Sequence, residues 1–455
     1  MLRKLSAVGG AALIIGSSAI ASEVKSPKLS DEKIFAETIK NVDTGGKMLQ
    51  FYNTQQLASQ VKQILEVLIK IGELNSQNMN PAEKANMEMG IQVFNQLIDA
   101  SGIDCFKSYA ISEKLDKDGM YLTKTFAYTT NNPHGLLFKI VGENTPFKRL
   151  NNIPKDCNIA IGAHINTLKI YKALKEESAK SENAQITTLP MMIEQVFNQK
   201  TGKYLIDILK SASGEYQFLL QADLVKANKK APIASEPIVK MTLIIPNEDN
   251  VLGNFLAEML DEALKTDKQI FKNKEGEYSL IKDATVPKWI NPKLKIMKDI
   301  IIFTTDAKFA SKCINNKDAS YASKILEDLN VDKQNGGLSY TILDLNKNLI
   351  NKVKKLIPPP IAQQFNVELG KLNELKLYSL DYRLKNGFKS VMKCNFELNQ
   401  FQTLAGMNSI TNASIAAGML LPALGAAREK ARIIQETKKL QKIQIDQNKM
   451  QPKQK

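Results

Sequence analysis

The chain has 455 residues, 43% of them hydrophobic and 24% charged, the balance of a globular protein with material for two or three domains rather than of a disordered chain. Its 62 Lys and Arg against 47 Asp and Glu give a net charge of +15, and only two histidines are present, so His-based nucleophilic triads and His-rich metal sites are poorly supplied. No GxSxG, HExxH or GxGxxG string occurs, and on that basis no catalytic, cofactor-binding or metal-ligating residue is assigned and no cofactor is expected.

Arg3 and Lys4 precede an apolar run over residues 5–20, and Ala19-Ile20-Ala21 is a small-x-small cleavage site. This is the pattern of a secretory signal over residues 1–21. No Cys follows it to carry a lipid anchor. Loss of the segment removes two positive charges and no negative ones, so +15 becomes +13. In an exported protein of the periplasm or cell envelope, that charge suits anionic lipid head groups or acidic envelope polymers rather than nucleic acid. The four cysteines, Cys105, Cys157, Cys313 and Cys394, are even in number. An oxidising compartment would permit two disulfides in any of three pairings, and four buried free thiols are equally open. Their wide spacing and the lack of CxxC give no zinc-site pattern.

Residues 31–101 read as a helical hairpin. Ile34, Ile39 and Val42 begin it, and Leu57, Val61, Ile64, Leu65, Leu68 and Ile71 line one face of a helix over 49–74. Asn80-Pro81-Ala82-Glu83 is a helix start, Met87, Ile91, Phe94 and Ile98 continue the apolar face, and Ser101-Gly102 ends it. Between residues 105 and 128, two strand-like runs flank the turn signal Asp118-Gly119. After Pro154 a unit recurs of short apolar strand, polar cap and helix. It covers 158–163 with Asn166, 240–245 with Asn247 or Asp249, 299–304 with Asp306, and 338–343 with Asp344 or Asn346. Extra strands are expected over 215–224 and 277–282, and a hairpin over 375–398 turns around Asn386-Gly387. Pro358-Pro359-Pro360 is a rigid break. The pattern predicts an α+β fold in which the N-terminal helical hairpin is followed by a mainly antiparallel sheet with helices on one face. The α+β ectodomain would span 102–400, with a degenerate repeat compatible with duplication.

Thr44-Gly45-Gly46-Lys47 shares only part of a phosphate-loop pattern and reads as a helix-breaking turn. Asp116 and Asp118 flank a turn and lack the twelve-residue calcium pattern, which favours a plain hairpin. Trp289, the one tryptophan, sits between Pro287 and Pro292 and reads as cover for a sheet end.

The most apolar stretch of the mature chain is residues 413–432. Residues 401–434 form an apolar C-terminal helix and 435–455 a basic tail, and no charge occurs between Glu397 and Arg428, a length that can cross a hydrocarbon core of ~30 Å. Leu420, Leu421, Pro422, Ala423, Leu424, Ala427 and Ala431 form the candidate membrane- or partner-binding surface. The small residues recur every fourth position, where a second helix can approach closely. Arg428, Lys430, Arg432, Lys438, Lys439 and Lys442 form the candidate basic surface for anionic head groups. Spanning helix, interfacial helix and ordinary docked helix all remain open for this segment.

Residues 418–432, GMLLPALGAAREKAR, resemble the segment that follows the membrane helix in type II pseudopilins and pilin-like proteins, at Leu420–Leu424 and Ala427–Arg432. In that family the segment is N-terminal, behind a processing site that this chain lacks. The resemblance covers about fifteen residues and implies membrane- or filament-type helix packing. The layout as a whole resembles exported bacterial envelope proteins of unknown function. The expected function is therefore a non-catalytic envelope protein, a binding or scaffolding ectodomain held near a membrane by residues 413–432. The alternative is an exported hydrolase whose carboxylates no motif reveals, and it requires two facing carboxylates in a deep pocket.

Overall fold

The computed structural model describes residues 29–55, 100–129, 133–180, 184–224, 237–266, 270–274, 276–280, 292–315, 320–350 and 373–397. The chain divides into two units, Met1–Ala405 and Gly406–Lys455, and all the described residues belong to the first. Its short apolar runs, each closed by a turn or a cap, become thirteen strands: β1 (Met48–Asn53), β2 (Phe106–Leu115), β3 (Tyr121–Thr129), β4 (Ile159–Ile165), β5 (Gly214–Leu224), β6 (Pro237–Pro246), β7 (Ile270–Lys274), β8 (Glu277–Leu280), β9 (Lys293–Ile296), β10 (Ile300–Thr304), β11 (Ser339–Asn346), β12 (Glu374–Leu384) and β13 (Gly387–Cys394). The described helices are α1 (Leu29–Ile39), α2 (Leu136–Ile140), α3 (Thr167–Ser178), α4 (Ala184–Thr201), α5 (Leu205–Ser211), α6 (Val251–Thr266), α7 (Ala307–Asn315) and α8 (Ser320–Leu329).

All thirteen strands join one sheet in the order β1-β2-β3-β13-β12-β11-β4-β5-β6-β10-β9-β8-β7, and each pairing is antiparallel. The fold is α+β, as the pattern of strands and helices predicts. Only the β4–β11 ladder joins the left six strands to the right seven. Its register places Tyr340 opposite Gly162 and Ile342 opposite Ala160. The small residues on β4 are what let the fully buried Tyr340 ring lie across the seam. A Cβ on Gly162 would come within 2.2 Å of Tyr340 Cε1.

Caps expected from the sequence start several helices. Asn166 accepts the Lys169 amide at 2.8 Å, Asp306 the Phe309 amide at 2.7 Å, and Asn346 the Leu349 amide at 3.1 Å. Asn247 accepts the amide of Gly253 in α6 at 2.7 Å. Each bond satisfies a backbone donor that a helix start leaves without an intrahelical partner. The hairpin around Asn386-Gly387 is β12–β13, with Leu384 opposite Gly387.

The helices lie on both faces of the sheet, which corrects the expectation of one. On β10, Ile300 and Ile302 join a core with Phe309, Ala310 and Cys313 of α7 and Ala322, Leu326 and Leu329 of α8. Ile301, between them, packs with Leu252, Leu256, Leu260 and Leu264 of α6. Ile244 and Ile245 of β6 divide in the same way. Successive strand residues point to opposite faces, so a continuous apolar run such as Ile300-Ile301-Ile302 marks a strand covered on both sides. Ile39, with Val42 just beyond α1, closes the face of α7 and α8 farther along, over Ala110, Phe126 and Leu384.

The helical reading of 31–101 is corrected at residues 48–53. Gly45 and Gly46 break the chain after α1, and Met48–Asn53 pairs along β2 as an edge strand. Tyr52 lies opposite Tyr109, with ring centroids 6.2 Å apart. A helix does end at Ser101, with Gly102 in the left-handed region (φ 79°). The rest of the expected hairpin, the triple proline and residues 398–455 lie outside the described residues.

Because Gly162 must stay small for Tyr340 to cross the seam, Gly162→Ala should destabilise the fold by about 1–3 kcal/mol, the usual cost of overpacking. Urea unfolding checks this, and an unchanged midpoint would show that the ring does not depend on that space.

Candidate functional site

Leu420, Leu421, Pro422, Ala423, Leu424, Ala427 and Ala431 lie outside the described residues, as do Arg428, Lys430, Arg432, Lys438, Lys439, Lys442 and Trp289. Among the described residues no helix is long and apolar enough to cross a membrane. The Thr44–Lys47 stretch is a bend leading into β1, fixed by the Lys47 amide donating to the Glu113 carbonyl at 2.8 Å. The Asp116–Asp118 turn is a plain hairpin whose carboxylates hold a lysine. Lys393 Nζ is 2.6 Å from Asp116 and 3.1 Å from Asp118, and its hydrogen bond holds Asp116 below the ordinary carboxylate value.

A buried polar group sits beside the seam, on the face of α7 and α8. His164 of β4 lies opposite Glu215 of β5. Gln217 Nε2 donates to the Tyr340 hydroxyl at 2.7 Å and to the Arg149 carbonyl at 3.3 Å. The Lys148 amide donates to Glu215 Oε2 at 2.8 Å. Phe147 stacks on His164 and meets Tyr340 edge-on, with both centroid distances 4.8 Å. Burial pushes the Glu215 carboxyl up, and the Arg149 charge opposes this only in part. Burial also lowers the His164 value and raises that of Tyr340. The network pins the 147–150 segment over the seam and keeps its acid neutral more readily than water would.

Carboxylate hydrolysis needs two carboxyls within reach of one bond. The buried carboxylates Glu113 and Glu215 are six strand steps apart, roughly 29 Å, and face opposite sides of the sheet. Glu113 shares the face of Ile111 and Met392, and Glu215 the face of Leu219. A depression beside the 146–150 segment is lined by Pro146, Phe147, Leu150, Leu326 and Leu380, with Glu327 its one carboxylate.

All four cysteines are buried free thiols. Three lie in apolar clusters, and two of these donate hydrogen bonds. Cys157 donates to the carbonyls of Ile159 (3.1 Å) and Leu220 (3.4 Å), and Cys394 donates to Phe396 at 3.1 Å. Burial pushes Cys157 and Cys394 up to about 12 and raises Cys313 as well, which makes these thiols unreactive.

Cys105 differs. Its Sγ is 3.2 Å from His134 Nδ1, accepts the His134 amide N–H at 3.3 Å and reaches the His134 carbonyl as a donor at 3.6 Å. His134 Nε2 is in turn 3.4 Å from Asp104 Oδ2. One donor atom from each of the three residues falls within 4.8 Å of the other two. Two glycines make this possible. Gly102 (φ 79°) and Gly135 (φ 91°) touch backbone to backbone, and a Cβ on Gly102 would sit 1.9 Å from the His134 carbonyl oxygen. Sequence spacing does not join this group, because residues 105 and 134 are separated by a hairpin. Its available signals were the Asp-Cys pair after Gly102 and the His-Gly pair in a loop.

Apolar side chains also face solvent on α4. Leu189, Met192 and Val196, spaced three and four apart, form one stripe at 43%, 53% and 44% exposure, beside Met191 at 58%. Tyr204 and Ile206, at the start of α5, are exposed as well.

Because the Glu215 carboxyl is raised, the native state holds its proton more tightly than the unfolded chain. Its contribution to stability is fully present below the ordinary value of 4.5 and is lost as pH rises through the raised value. Glu215→Gln should therefore flatten the decline of stability above pH 4.5, measured as the unfolding midpoint against pH. Parallel profiles for the two proteins would contradict this assignment.

No family model, curated protein or solved structure matches this chain.

Proposed function

We propose that the protein is a non-catalytic envelope protein, a binding or scaffolding α+β body that is exported and held near a membrane by residues 413–432. The observation that carries the binding reading is the solvent-facing stripe Leu189–Met192–Val196 with Met191 on α4. Around β6 and β10 the sheet buries apolar side chains on both faces under its own helices, and the apolar strand residues left exposed, such as Leu115, Ile161 and Phe303, sit on separate strands. A contiguous apolar surface left open on such a body is the usual mark of a contact site, and methionines adapt readily to a partner's shape. The wide separation of Glu113 and Glu215 weighs against a carboxylate hydrolase built on these two groups. Attachment rests on the apolar run 413–427 and the cations Arg428, Lys430 and Arg432 that follow it. Leaving that run in water would forgo roughly 25 cal/mol per Å² of apolar surface.

Full-length protein should fractionate with membranes, and a chain lacking residues 401–455 should be released as a folded, soluble body. High salt should extract an interfacial helix held partly by its cations, whereas a spanning helix should need detergent. Full-length protein that is soluble without either treatment, together with unfolding of the shortened chain, would contradict the attachment.

A further inference from the structure

We propose that Asp104, Cys105 and His134 form a binding site for a divalent transition-metal ion of borderline softness, such as Zn²⁺. This goes beyond the envelope-scaffold reading and does not depend on it. Three kinds of donor converge: a sulfur, an imidazole nitrogen and a carboxylate oxygen, all within 4.8 Å of one another. Neighbouring ligands of a tetrahedral zinc ion lie roughly 3.6 Å apart, given bonds of about 2.0–2.3 Å. The Sγ–Nδ1 separation of 3.2 Å is already close to that value. Asp104 is half exposed, so its carboxylate is free to turn from Nε2 toward an ion held at Nδ1 and Sγ.

The backbone supplies the preorganisation. Gly102 and Gly135 lock the two segments in contact, and the His134 amide already donates to the sulfur, an interaction that stabilises a metal-bound thiolate. Cys105 is 1% exposed and fixed, while the His134 and Asp104 side chains open to solvent and provide the path of entry. On binding, the thiol S–H proton leaves to solvent and a metal–sulfur bond takes its place. The thiolate and carboxylate then supply two negative charges to a 2+ ion, the imidazole is neutral, and water fills the fourth position. Cys157 and Cys394 make their hydrogen bonds to carbonyl oxygens, whereas Cys105, which also reaches the His134 carbonyl at 3.6 Å, has the His134 imidazole and amide beside it as well.

Titration of the reduced, chelator-stripped full-length protein with Co²⁺ tests the site. One equivalent should produce the visible bands of tetrahedral Co²⁺ and a near-ultraviolet sulfur-to-metal charge-transfer band, and Zn²⁺ should displace both. Cys105→Ser should abolish the charge-transfer band. His134→Gln and Asp104→Asn, which alter exposed side chains, should weaken Co²⁺ binding about tenfold or more while circular dichroism stays unchanged. Cys157→Ser, folded by the same criterion, should keep the band. Failure to saturate at one equivalent, persistence of the band in Cys105→Ser, or undiminished affinity in both His134→Gln and Asp104→Asn would overturn the proposal.

Discussion

The architecture depends on the contact between Tyr340 and Gly162. The β4–β11 ladder is the one strand pairing between the two parts of the sheet, beneath a core that runs across both, and at its centre a whole aromatic ring must lie over the neighbouring strand. Ala160 and Gly162 leave that space. A phenol buried there needs a partner for its hydroxyl, which Gln217 supplies from the next strand. Gln217 then reaches the Arg149 carbonyl, Glu215 takes the Lys148 amide, and Phe147 covers His164. Sheet seam, polar network and covering segment are consequences of one close packing.

Covering the sheet on both faces also shapes the protein's surface. On β10, Ile300 and Ile302 find helices on one side and Ile301 on the other, while Phe303 at the strand's far end stays exposed. Much of the face area is thereby taken up by the protein's own core, which leaves helix exteriors, strand edges and junctions between segments as surfaces for other molecules. The open stripe on α4 is a helix exterior, and the Asp104–Cys105–His134 group lies at a junction of segments. Neither requires the sheet to move.

Local features were legible in the sequence because their causes are local. Asn166, Asp306, Asn247 and Asn346 announce helix starts through their own side chains, and Asn386-Gly387 announces a hairpin through its backbone freedom. The apolar run 300–302 carries the sign of two-sided burial, whereas strand–helix alternation alone points to a sheet covered on one side. β1 reads as helix in the sequence because Leu49 can join the three-and-four spacing that continues at Leu57. Pairing with β2, a long-range effect, decides it as strand. The Cys105–His134 contact has only the Asp-Cys pair after Gly102 and the His-Gly pair as local signs, and neither says that the two meet, since the contact arises where β2 and the segment after β3 come together through two glycines. The apolar and basic positions of residues 413–442 remain a reading of the sequence.

Amide hydrogen exchange resolved along the chain tests the central claim that the seam unites the sheet. If β4 and β11 pair as described, the hydrogen-bonded amides over 159–163 and 339–343 should exchange only through global unfolding, as slowly as those of β12 and β13 and with the same denaturant dependence. Fast exchange at the seam while β12–β13 and β5–β6 each stay protected would mean two independent sheets, and would contradict the account.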